Sequence, residues 1–66
     1  MRNTIKVQRA IKGLTQEELA QQVSVSRQTI NAMEANKYVP STVLALKIAK
    51  VFEKPVEELF MLEIGD

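Results

Sequence analysis

Arg27, Gln28 and Asn31 are the residues whose types and spacing point most directly to a chemistry. On a helix, where successive residues turn by about 100°, Ile30 and Met33 point one way while Gln28, Asn31, Ala32 and Ala35 share a sector opposite them. That outer sector carries no large apolar side chain. Gln and Asn can pair with adenine in the major groove, Arg prefers guanine, and a small Ala allows close approach to a thymine methyl. Arg27, Gln28, Asn31 and Ala32 are therefore the candidates for reading base edges. The same residues would also make an ordinary solvated face, so their meaning depends on the elements that carry them. Catalytic chemistry has little to work with. There is no His and no Cys, two glycines cannot build a Gly-rich phosphate loop, and neighbouring Glu17 and Glu18 diverge on a helix instead of converging as an acid/base pair. The sequence predicts neither an enzyme nor a cofactor, a metal site or a small-molecule ligand.

The elements that must position these residues read as five short helices. Apolar residues recur at helical spacing, and caps and breakers fall between them. A first helix is predicted from about Thr4 to Lys12, with Ile5, Val7 and Ile11 inward and Gly13 as its stop. Thr15 opens the second, because Glu18 three residues later completes a capping box; Leu19, Ala20 and Val23 form its buried stripe. After a break at Ser24 and Val25, Ser26 caps a third helix over about residues 27–36 with Ile30 and Met33 inward and Asn36 as a left-handed cap. Two short helices this close together must cross steeply, and Ala20 is small enough to let them approach. Ser41 caps a fourth helix carrying Leu44, Ala45, Ile48, Ala49 and Phe52. Pro55 begins a short fifth holding Val56, Leu59 and Phe60. Leu62 and Ile64 alternate with polar Glu63, which allows a short strand, with Met1 to Asn3 as its partner.

Sixty-six residues make one domain, and a chain this short buries only about 60% of its unfolded surface. Without disulfides or a zinc site, association with a second copy is the remaining source of support. The absence of Cys fits a reducing cytoplasm, and neither a membrane-spanning stretch nor a signal peptide is predicted. The formal charge is only +1, but residues 1–37 carry six basic against three acidic side chains, while residues 38–66 carry three against five. The basic excess accompanies the outer face of the third helix.

The run from Leu14 to Glu34, LTQEELAQQVSVSRQTINAME, resembles the helix-turn-helix of the phage Cro and lambda-repressor family, also called XRE. The likeness extends through Asn36-Lys37-Tyr38-Val39-Pro40-Ser41, Leu44 to Ala49 and Pro55 to Phe60, nearly the whole chain. Within that family it is most similar to the short regulators typified by the cytolysin repressor, which add a terminal β-ribbon and dimerise without a separate domain. The resemblance implies an all-α, five-helix lambda-repressor-like DNA-binding domain over residues 1–66, with a short antiparallel ribbon. It further implies a motif at about residues 15–36, a recognition helix at about 27–36 and a two-fold homodimer. Gln16 matches a family Gln that contacts phosphate and braces the recognition helix. Arg9 and Glu34 match a pair that is joined internally, a structural and not a DNA-binding role. Ser24 stands where the family often has Gly, and Lys54 where it usually has a capping residue.

Further backbone contacts are expected from Ser26 and Thr29 at the start of the third helix, where free N–H groups favour phosphate, and from Asn36, Lys37 and Tyr38 across the groove. Surplus apolar surface at about residues 55–64 predicts a dimer interface of Leu59, Phe60, Leu62 and Ile64. The expected partners are double-stranded DNA bearing an inverted repeat and a second copy of the chain. Repression is the expected direction, because every helix is committed to core, motif or dimer. An antitoxin or co-regulator working mainly through protein contacts, with acidic residues 53–66 as its surface, is the alternative.

Overall fold

The computed structural model describes residues 1–66. Its element order is β1 (Arg2–Asn3), α1 (Ile5–Lys12), α2 (Gln16–Val23), α3 (Arg27–Glu34), α4 (Thr42–Phe52), α5 (Val56–Leu59) and β2 (Phe60–Met61). The helix starts follow from side-chain caps. The Thr15 hydroxyl accepts from the Glu18 N–H while the Glu18 carboxylate accepts from the Thr15 N–H, a closed capping box. Ser26 and Ser41 accept from the N–H groups of Thr29 and Leu44. Pro55, which has no such side chain, precedes a helix of only four residues.

The helix ends share one device. Gly13, Ser24, Asn36 and Glu53 all adopt left-handed φ values, and at each the next N–H reaches back to the carbonyl five residues earlier, as in Val25 to Ala20 and Lys37 to Ala32. This Schellman closure satisfies carbonyls that a helix end otherwise leaves unpaired. Only one of the four is glycine. Asn36 tolerates the conformation, whereas a Cβ at Glu53 costs about 1 to 2 kcal/mol. Glu53→Gly is therefore expected to stabilise the protein by about 0.5 to 1 kcal/mol after the greater freedom of unfolded glycine is subtracted. The exposed Glu53 contact with Lys12, at 3.9 Å, contributes little. Thermal melting checks this, and a lower Tm would show that the left-handed backbone is not strained.

The core lies between α2, α3 and α4, closed below by α5 and the ribbon. Leu19, Ala20 and Val23 from α2 meet Ile30 and Met33 from α3 and Leu44, Ile48 and Phe52 from α4, all buried. Fully buried Ala20 leaves room for the steep α2–α3 crossing. The fold is thus mostly helical with one antiparallel ribbon, in which Arg2 pairs with Met61 and Asn3 with Phe60. No helix is long and apolar enough to cross a membrane.

Four expectations are corrected. In α1 only Ile5 is buried; Val7 and Ile11 are 57% and 75% exposed. They lie about 200° and 240° around the helix from Ile5, so all three cannot share a face, and the inward side is completed by Arg9. In the ribbon, β2 is Phe60–Met61 and not the segment carrying Leu62 and Ile64, because extended backbone begins at Phe60 while the last residues turn. Helix α3, expected to run to about residue 36, ends at Glu34, and Asn36 goes left-handed. Leu59 and Phe60, expected at a dimer surface, are 0% and 8% exposed within their own chain and belong to its core. Leu62 and Ile64 are exposed.

Candidate nucleic-acid interface

Helix α3 separates its residues by face. Ile30 and Met33 are buried; Arg27, Gln28, Asn31 and Ala35 are exposed, and Ala32 is half-buried at the margin of the outer face. The sides of α3 are held to the scaffold, so the outer face has a fixed direction. Ser26 accepts from the Thr29 N–H and so caps the helix, and the two hydroxyls lie 3.0 Å apart. Ser26 remains exposed and Thr29 half-buried.

One hydrogen-bonded chain runs from α1 to the outer face. Arg9 on α1 meets Glu34 at the end of α3 through two parallel bonds, Nε to Oε2 at 2.8 Å and Nη2 to Oε1 at 3.1 Å. Its third donor, Nη1, reaches the Leu14 carbonyl between α1 and α2 at 2.9 Å. This two-pronged geometry is available to Arg and not to Lys. Gln16, the first residue of α2, donates from Nε2 to Glu34 Oε1 at 3.1 Å, and its own Oε1 lies 3.4 Å from Asn31 Nδ2. A carboxylate can only accept, so the Gln16 nitrogen must face Glu34 and its oxygen must face Asn31. Asn31, a base-reading candidate, is thereby linked through Gln16 to the Arg9–Glu34 ion pair.

Glu34 has only 5% of its side chain exposed. Burial pushes its carboxyl up, but hydrogen bonds from Arg9 and Gln16 and the charges of Arg9 and Lys6 outweigh burial and hold it below the ordinary value of 4.5. The same contact raises the Arg9 guanidinium. A carboxyl depressed in the folded state stabilises fully above its unfolded value, and this contribution is lost as pH falls through the folded one. Tm is therefore expected to drop as pH is lowered from neutral to below 4.5, and to drop less in Glu34→Gln, which also starts from a lower Tm at neutral pH. Parallel acid profiles for the two proteins would remove Glu34 from this role.

The far end of α3 is anchored from the ribbon. Asn3 donates from Nδ2 to the Met33 carbonyl at 2.7 Å and to Asn36 Oδ1 at 3.2 Å, and its Oδ1 accepts from the Ile5 N–H at 3.1 Å. Asn36, Lys37 and Tyr38 follow as an exposed loop, with the Tyr38 ring 43% accessible. Two residues here escape sequence reasoning. Asn3 lies thirty positions from the carbonyl it holds and gives no local signal. Lys6 lines a polar notch of about 190 Å³ with Gln16, Asn31, Glu34 and Ala35, and its spacing of three from Arg9 on one helix face was the available clue.

The helix-turn-helix family profile HTH_3 matches residues 5–59. An uncharacterized HTH-type transcriptional regulator of Methanocaldococcus jannaschii is 52% identical over 63 residues, covering 96% of each chain. One of Bacillus subtilis is 49% identical over 63 residues with the same coverage, and one of Archaeoglobus fulgidus is 51% identical, covering 96% of this chain and 90% of its own. With five helices, the capped α2–α3 pair and a match across nearly its full length, this chain belongs to the XRE-type helix-turn-helix family of DNA-binding transcription regulators.

Proposed function

We propose that this protein is a transcriptional repressor that binds a palindromic operator as a two-fold homodimer, with α3 in the major groove. The observation that carries the reading is the outer face of α3, where Arg27, Gln28 and Asn31 are exposed while Gln16 and Glu34 hold Asn31 in orientation. Arg27, Gln28, Asn31 and Ala32 read bases. Gln16, Ser26 and Thr29 grip one phosphate strand from the helix starts, and Asn36, Lys37 and Tyr38 grip the other. Two recognition helices about 34 Å apart would then read both half-sites on one face of the duplex.

The second copy has a surface to meet. An apolar groove of about 420 Å³ runs between α4 and α5, lined by Val39, Pro40, Ala45, Leu46, Val56 and Phe60 among others. Val39 and Leu46 are 67% and 57% exposed and lie together on this groove, a contiguous apolar surface of the kind that marks a contact site. In this proposal buried Leu59 leaves the interface, Phe60 contributes only to the groove wall, exposed Val39 and Leu46 become its main contacts, and exposed Leu62 and Ile64, which lie beside Arg2 and Glu63, stay as further candidates.

Selection from a random DNA pool tests the reading, since it returns both half-site and spacing. Gln28→Ala and Asn31→Ala are each expected to cost about 1 to 3 kcal/mol on the selected site and to relax preference at one base pair. Lys37→Ala should weaken binding to every sequence and flatten the salt dependence by about one unit. Wild-type discrimination in both α3 variants would show that the outer face is not the reader. A protein-only module would select no sequence at any salt.

A further inference from the structure

We propose that Asn3, on β1, is a positioning residue for the DNA-backbone grip: it sets the Asn36 amide with its nitrogen outward, where a phosphate oxygen can accept from it. The inference rests on the reading that the loop after α3 meets phosphate. Its basis is the donor and acceptor polarity of four groups. The Ile5 N–H can only donate, so Asn3 Oδ1 faces it; the Met33 carbonyl can only accept, so Asn3 Nδ2 faces that. Two backbone groups thus determine the orientation of the Asn3 amide. Its nitrogen, in turn, requires an acceptor from Asn36, and Oδ1 of Asn36 stands 3.2 Å away.

With its oxygen so engaged, the exposed Asn36 side chain directs its NH₂ group away from Asn3, and exposed Lys37 follows it in the chain. The Asn36 backbone is fixed too, at φ 60 with its N–H on the Met33 carbonyl and the Lys37 N–H on the Ala32 carbonyl. A freely rotating amide would offer phosphate an oxygen as readily as a nitrogen, and only the nitrogen can bond it. Asn3 removes the wrong choice. Because Asn3 is itself paired with Phe60 in the ribbon, the polarity of the loop is set by segments more than twenty residues away in the chain on either side.

The test uses the duplex recovered by selection and a scrambled duplex of equal length, with Asn36→Gly as a partner variant that keeps the left-handed backbone. Asn3→Ala is expected to weaken binding about fivefold on both duplexes, the loss of one hydrogen bond, and to leave base preference unchanged. In the Asn36→Gly background the same substitution should change affinity less than about twofold. An equal loss in both backgrounds, or no loss in either, would overturn the proposal. Asn36→Asp provides a check that leaves Asn3 untouched. Its carboxylate accepts from Asn3 as before but turns an oxygen outward, so it should bind both duplexes more weakly than Asn36→Gly; equal or tighter binding would also overturn the proposal. These outcomes presuppose a wild type that selects a sequence. A wild type that selects none defeats the broader reading instead.

Discussion

Arg9→Ala is expected to lower stability by about 2 kcal/mol, because it leaves the half-buried Glu34 carboxylate without its charged partner, held by Gln16 alone. A 66-residue domain commands only about 3 to 10 kcal/mol in all, so this variant should melt about 8 to 16 °C early. The cost comes less from the lost attraction than from the charge left behind. Arg9→Ala with Glu34→Ala should consequently cost less than the sum of the single changes. Operator preference should persist in whatever fraction of Arg9→Ala remains folded. Full stability with lost affinity would identify Arg9 as a phosphate ligand.

The second large effect is expected at the apolar groove. Leu46→Glu places a charge on a side chain that is already 57% exposed, so the monomer should keep its helical content. Sedimentation should show one copy where the wild type shows two. Operator affinity should fall by about 100-fold or more, since joining two half-site readers gains that much over either alone. A Leu46→Glu protein that still pairs and binds normally would refute this interface. Phe60→Glu is the wrong instrument for the question: Phe60 is 8% exposed, and a carboxylate there would unfold the chain before it separated two copies.

The difference between Leu46 and Phe60 shows what the sequence can convey. Caps are local chemistry, so Thr15 with Glu18, Ser26 and Ser41 mark their helices within a few residues, and the structure uses each as a cap. The inward stripes of α2, α3 and α4 are also legible, being long or strongly patterned. In α1, apolar spacing misleads, because Arg9 must face inward to reach both Glu34 and the Leu14 carbonyl, and that demand turns Val7 and Ile11 to solvent. At the C-terminal end, apolar content alone cannot tell a residue that closes its own core from one that faces a neighbour. The outer face of α3 follows from helical angle, whereas Asn3 becomes visible only once the ribbon has folded back.

That ribbon also shapes how the fold assembles and opens. Most contacts among α2, α3 and α4 join segments close in sequence, which favours rapid formation of a three-helix nucleus. The pairing of Arg2 with Met61 closes nearly the entire chain into a loop, at a greater entropic cost than any contact among the helices, so it belongs to the late steps of folding. In the native ensemble the order reverses. The two-residue strands are the first to part, and when they do the amide tie to the last turn of α3 goes with them while the buried helices remain. Amide hydrogens at Thr4 and Met61 would then exchange ahead of those in the nucleus, and the C-terminal turn of the recognition helix would share their low protection. Helix α3 is in this sense stiff at its start and releasable at its end.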